Sequence, residues 1–142
     1  MSAALSMSSV SREELCIRGD DDVVTVRRKV KAIAQERRFD TFATAAITTA
    51  TSELTRNVLT HGGGGIAIVE ELSDGMRVGI RVRFLDEGPG IADVERALRG
   101  GYSTARSMGL GLSGSRRLVD EFAIESVPDK GTTVTIVKWR PF

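Results

Sequence analysis

Glu53 and Asn57 stand four residues apart. On a helix that spacing puts both side chains on one face, within reach of one ligand. An Asn offers a neutral oxygen to a hard cation such as Mg²⁺, and a Glu can take a proton from an attacking hydroxyl or water. Further on, Asp86-Glu87-Gly88-Pro89-Gly90 closes an alternating segment. Its two glycines let backbone approach a flat ligand closely, and Asp86 can accept a hydrogen bond from an exocyclic amine such as that of adenine. A third patch, Gly109-Leu110-Gly111-Leu112-Ser113-Gly114, brings a polar loop to a helix start. Unpaired N–H groups and the positive end of the helix dipole suit phosphate there. Taken singly, each patch has a plainer meaning: an exposed polar pair, a turn, a helix start. No Gly-Lys-Ser/Thr follows the third patch, and a loop rather than a strand precedes it, so it is neither the Walker nor the dinucleotide pattern. In this order the three describe a nucleotide pocket.

The elements that must position them follow from periodicity. Val23, Val26, Val30 and Ile33 recur at helical spacing, which predicts a helix over 22–37 behind the first-turn acids Asp20, Asp21 and Asp22. Its other faces carry Arg27, Arg28, Lys29 and Lys31. Asp40 or Thr41 caps a second helix running to about 60, with Ala43, Ile47, Ala50, Leu54 and Val58 as its core stripe. The neighbouring stripe is Ala46, Thr49, Glu53 and Asn57, small and polar like the wall of a pocket. His61 and the glycines of 62–65 stop that helix. Strands are expected over 14–18, 66–71, 76–85, 123–127 and 132–139, and helices over 91–98 and 110–122. In 76–85 the residues Met76, Val78, Ile80, Val82 and Phe84 alternate with polar ones, as in a half-buried antiparallel strand. The sum is an α+β two-layer sandwich with helices on one sheet face.

The 142 residues fit one domain, read as 12–142, behind a Ser/Ala-rich segment 1–11 expected to be disordered. A net charge of +1 gives no support to a nucleic-acid binder. The single cysteine, Cys16, excludes an internal disulfide and a zinc cluster and reads as a small half-buried strand residue. No apolar run approaches the ~20 residues of a membrane span, and 1–11 lacks the pattern of a signal peptide. The expected location is the cytoplasm.

The ordered patches resemble the N, G1 and G2 boxes of the GHKL superfamily, whose members share an ATP-binding α/β sandwich, the Bergerat fold. The resemblance implies ATP and Mg²⁺ as ligands. Asn57 matches the Mg²⁺-binding Asn and Glu53 the catalytic acid/base. Asp86 matches the adenine-reading Asp, beside Gly88 and Gly90. Gly109, Leu110, Gly111 and Leu112 match the phosphate-side motif. Thr132, after Gly131, sits where relatives support the adenine end, and 100–108 matches the ATP lid, in which Arg106 is a candidate phosphate contact.

Within the superfamily, nearly the whole chain, 14–139, is similar to the small serine/threonine kinases of the RsbT type. The segments that carry this are 47–57, Gly101-Tyr102-Ser103-Thr104, 117–122 and Val137-Lys138-Trp139. Two departures are Thr55, where a small residue such as Ala is expected, and a lid with Ala105-Arg106-Ser107-Met108 in place of glycines. The resemblance implies phosphoryl transfer from ATP to a STAS-domain regulatory protein of a stress-signalling complex. Release of the kinase to activate a PP2C-type phosphatase would follow. It leaves two other readings open: an anti-sigma factor with kinase activity, and a nucleotide-dependent binding module with little catalysis.

Overall fold

A computed structural model describes residues 7–91, 94, 98 and 106–141, the side chains of 106–111 excepted. Strand β1 (Ser8–Ile17) leads into helices α1 (Asp20–Glu36) and α2 (Thr41–Gly62). The hairpin β2 (Gly65–Ser73) and β3 (Val78–Asp86) follows, then α3 (Arg106–Leu118) and a second hairpin of β4 (Glu121–Val127) and β5 (Gly131–Trp139). The five strands form one antiparallel sheet in the order β1-β2-β3-β5-β4. The α+β two-layer architecture expected from the periodicity is what is found.

Local chemistry explains the boundaries. The Asp22 carboxylate accepts the backbone N–H groups of Arg18 and Gly19 at 2.7 and 3.0 Å, satisfying donors at the start of α1. Asp40 caps α2 through the Ala43 N–H at 2.7 Å. At the other end of α2, Gly63 turns into the left-handed region at φ 74°. The Gly64 N–H then closes on the Val58 carbonyl at 3.0 Å. In the β2–β3 turn, the Asp74 side chain takes the N–H groups of Met76 and Arg77.

Alternation sends one face of the sheet to the helices. Ala67, Val69, Ile80, Val82, Phe84, Val134 and Ile136 share a core with Val26, Val30 and Ile33 of α1 and Ile47, Ala50, Leu54 and Val58 of α2. Each large side chain buried there contributes roughly 1.5–3 kcal/mol. The opposite face holds Leu72 and Val137 with Met7 and Trp139 against them. It also holds a charged cluster: buried Glu70 accepts two bonds from Arg81 and one from Arg83, all at 3.0 Å. Arg77 stacks over the Trp139 ring, 4.0 Å from its centroid.

Four expectations change. Strand β1 begins at Ser8, inside the stretch read as disordered, because β2 continues to Ser73 and pairs with it; residues 1–6 lie outside the described residues. Met76 sits exposed in the β2–β3 turn rather than on the core stripe. Phe122 belongs to β4, not to the preceding helix; it faces the same core from a strand, so its spacing mimicked a helical period. Cys16 is exposed rather than half-buried. Of the expected helix 91–98, Val94 and Leu98 are helical and the residues between them lie outside the described residues.

Candidate nucleotide site

The α2 helix carries the first patch. Packing on the sheet fixes its core stripe, and α1 and α3 flank it. Thr55, the departure noted above, is fully buried with its hydroxyl donating to the Thr51 carbonyl at 2.7 Å. A threonine is tolerated there because its one polar group is satisfied within the helix. Asn57 lies two residues on. Its Nδ2 is buried and has no hydrogen-bond partner among the described residues. Half a turn of the amide presents the oxygen instead, so either end of this group is suited to a ligand. Glu53 is half-exposed, and its Oε1 accepts from Arg56 at 3.0 Å.

The second patch ends β3. In register, Asp86 lies opposite Gly65 of β2 and Thr132 of β5. Burial pushes the Asp86 carboxyl above its ordinary range, and the N–H groups of Gly88 and Thr132 pull it part of the way back. The Gly88 bond measures 2.9 Å. The end of α2 presses on this carboxyl: a side chain on Gly62 would collide with Asp86. Beside it, burial lowers the His61 imidazole from its ordinary 6.5, partly opposed by Asp86. The bare Cα atoms of Gly88 and Gly90 meet protein rather than open space. A Cβ at Gly88 would run into Gly62 and the His61 carbonyl, and one at Gly90 into the Val127 carbonyl. Both glycines seat the loop against its neighbours.

The third patch sits differently from the expected loop-then-helix. Residues 106–118 are helical, so the glycine patch lies within α3 rather than at a loop-to-helix junction. Leu112 is 2 % exposed and packs into the core. The Arg106 side chain and the lid residues 100–105 lie outside the described residues.

Tertiary structure brings Asn57, Asp86, Leu112 and Thr132 together over Phe84 and Val134 at one small crevice of about 20 Å³. Its lining, an apolar wall with a few convergent polar groups, is of the kind small-ligand sites have, and its volume is that of about one water. Glu53 does not line it; it stands one turn of α2 away from Asn57. A wider cleft of about 650 Å³ along the glycine run is lined by Asp86 and Glu87 of the second patch together with residues such as Cys16, Arg18 and Thr133. Among the described residues no cluster of three His, Cys, Asp or Glu side chains could hold a metal ion. The Asn57 side-chain oxygen is a ligand of the type that would hold a Mg²⁺ ion. Reasoning from the sequence placed Gly62 in the run that stops α2; its lack of a side chain also makes room for Asp86. The same reasoning missed Ser126, which gave no signal as a lone serine on an edge strand.

The chain is similar to known proteins. The histidine kinase-like ATPase domain family matches residues 19–138. The serine/threonine-protein kinase RsbT of Bacillus subtilis is 37% identical over 129 residues, which is 89% of this chain and 97% of that protein. The anti-sigma F factor of Thermoanaerobacter sp. is 35% identical over 101 residues, 67% of this chain and 69% of that protein. Among solved structures, one of the RsbU and RsbW domains of a Mycobacterium tuberculosis protein superposes with a TM-score of 0.63 at 23% identity. It covers 93% of this chain, which spans only 34% of that larger protein. The SiaB–SiaC complex from Pseudomonas aeruginosa gives a TM-score of 0.56 at 15% identity, covering 92% of this chain and 90% of that one. At these identities the two structures speak to the fold alone.

Proposed function

The chain belongs to the histidine kinase-like ATPase family, in its RsbT-like serine/threonine kinase branch, and from that premise we propose what it acts on and how. It transfers the γ-phosphoryl group of ATP to a serine or threonine of a STAS-domain regulatory protein. It is then released to bind and activate a PP2C-type phosphatase in a stress-response sigma-factor pathway. The observation that carries the nucleotide part is the single cavity that gathers Asn57, Asp86, Leu112 and Thr132 from four separate elements.

The division of labour follows from chemistry. Asp86 with Thr132 reads the polar edge of the purine ring. Asn57 and the glycine patch of α3 face the phosphates. Bound Mg²⁺ would neutralise charge that develops on the transferred phosphoryl group. Glu53 takes the proton of the attacking hydroxyl, for which its carboxylate must leave Arg56. No helix among the described residues is long and apolar enough to cross a membrane.

The test is incubation of the protein with γ-labelled ATP and purified STAS-domain proteins. Label on a serine or threonine of the STAS protein is expected. Nucleotide binding with no transfer to any STAS protein would sink the kinase reading in favour of a binding module. The 35% identity to an anti-sigma factor favours a second reading, sequestration of a sigma factor. A sigma factor recovered in a pull-down with the ATP-loaded protein would support that reading over the switch kinase.

A further inference from the structure

At the far end of the helical layer, α1 and α2 enclose a groove of about 430 Å³. Lys31 and Gln35 of α1 line one side and Thr41, Ala45 and Thr48 of α2 the other, with buried Phe39 of the connecting turn between them. Each set repeats every three to four positions and so forms one stripe on its helix. The α2 side carries short side chains, and Thr48 spends its hydroxyl proton on carbonyls of its own helix. The groove therefore offers alkyl surface more than free donors. Phe42 stands at its rim. It is 88 % exposed, more than any other large hydrophobic side chain described, and precedes Ala45 by three positions on the same side of α2. An aromatic ring left in water beside a concavity is the make-up of an interface anchor.

Charge marks the same rim. Arg28 and Lys31 are exposed on one stripe of α1, and Arg38 is exposed in the turn that follows. None of the three has an ion pair among the described residues, whereas Lys29 pairs with Glu13 and Arg37 with Glu71. The acids near them in the chain are engaged elsewhere: Asp40 caps α2, and Glu36 stabilises the charge of Arg37. We propose that the α1–α2 groove is a docking site for an acidic amphipathic helix of a partner protein, anchored on Phe42 and steered by Arg28, Lys31 and Arg38. A helix is the occupant because the space between two helices takes a third by fitting ridges into grooves. Its acidic character follows from the three unpaired cations. A membrane fits less well: the surface is concave, and Phe42 is the only exposed large apolar side chain on the described parts of α1 and α2. Phe42 lies in the first turn of α2, and Asn57 stands roughly 22 Å further along the axis. Occupancy of the groove leaves the nucleotide crevice open, so the inference holds apart from the nucleotide reading.

Fluorescence anisotropy of the full chain with a labelled probe peptide tests this. The probe is an Ala-based helix of about 20 residues with Leu at i, i+4 and i+7 and Glu on its other faces; its control carries Lys in place of Glu. The acidic peptide is expected to bind at least about tenfold more tightly than the basic one, and more weakly as salt rises. Phe42→Ala and, separately, Arg28→Glu combined with Lys31→Glu are each expected to weaken it about tenfold. The changed positions are exposed, so the melting temperature is expected to stay at the wild-type value. Equal binding of the two peptides, or binding of neither, overturns the proposal. So does an affinity for the acidic peptide that neither variant changes. Sedimentation with vesicles of phosphatidylserine and phosphatidylcholine that is lost in the same variants, while neither peptide binds, overturns it in favour of a membrane surface.

Discussion

Gly62, the last residue of α2, and Asp86, the last residue of β3, are packed so that the Asp86 carboxyl occupies the space a side chain at 62 would fill. The helix bearing Asn57 and the strand bearing Asp86 are thereby set against each other at one end of the sheet. Gly62→Ala must push the carboxyl aside. Such overpacking typically costs about 1–3 kcal/mol. The expected outcome is a loss of ATP affinity of about tenfold or more, measured by titration, in a protein whose circular dichroism is unchanged.

Asp86→Asn separates binding from stability. The folded protein holds this carboxyl above its ordinary value of 3.8. A group raised in the folded state contributes stability below its unfolded value, and that contribution is lost as pH rises through the folded value. At neutral pH the ionised Asp86 therefore works against folding. The Asn variant keeps an oxygen for the Gly88 N–H and removes the charge. A higher Tm at pH 7 is expected together with ATP affinity reduced roughly tenfold or more, since hydrogen bonds to charged groups are worth about 1.5–3 kcal/mol. An unchanged affinity would argue against base reading by Asp86.

Glu53→Ala is expected to lower phosphoryl transfer to the STAS acceptor by about 10²–10⁴-fold, the usual contribution of a general base. Because Glu53 lies outside the cavity, ATP affinity should stay within about twofold. Transfer at the wild-type rate in a single-turnover assay would remove Glu53 from the chemistry.

The His61 imidazole titrates below 6.5 in the folded protein, chiefly through burial. Its sign is opposite to that of Asp86. As pH falls through 6.5 the unfolded chain takes up a proton that the folded chain resists, so stability declines toward the lowered folded value. A melting series from pH 7.5 to 5.0 should show this decline, and His61→Gln should flatten it. Equal slopes in the two proteins would assign the acid sensitivity to other groups.

Glu70 is 3 % exposed and is the shared partner of Arg81 and Arg83. Burial alone would raise its carboxyl, but bonds from Ser9 and Arg81 outweigh that and hold it below the ordinary range. Removing it leaves two guanidinium groups without their anion. Breaking a buried pair this way typically costs about 3–5 kcal/mol. Glu70→Ala should unfold at a markedly lower denaturant midpoint, whereas Arg83→Ala, on the more exposed partner, should cost much less.

Element types were legible in the sequence wherever one face is buried and the other wet. The stripe from Ala43 to Val58 and the alternation of Val78 to Phe84 are direct images of a helix and a strand lying on one core. The same logic failed at Phe122, because a side chain facing the core carries the same signal whether a strand or a helix presents it. The sequence also offered candidates for a site, Glu53, Asn57, Asp86 and the glycine patches, since metal, proton and phosphate chemistry restrict which side chains can serve. What the sequence could not hold is adjacency. Thr132 meets Asp86, and Ser126 meets Thr132, because β5 inserts between β3 and β4 in the sheet. Gly62 matters because α2 ends against β3. These contacts join residues far apart in the chain, and only closure of the sheet and packing of the helices on it bring them within hydrogen-bonding distance.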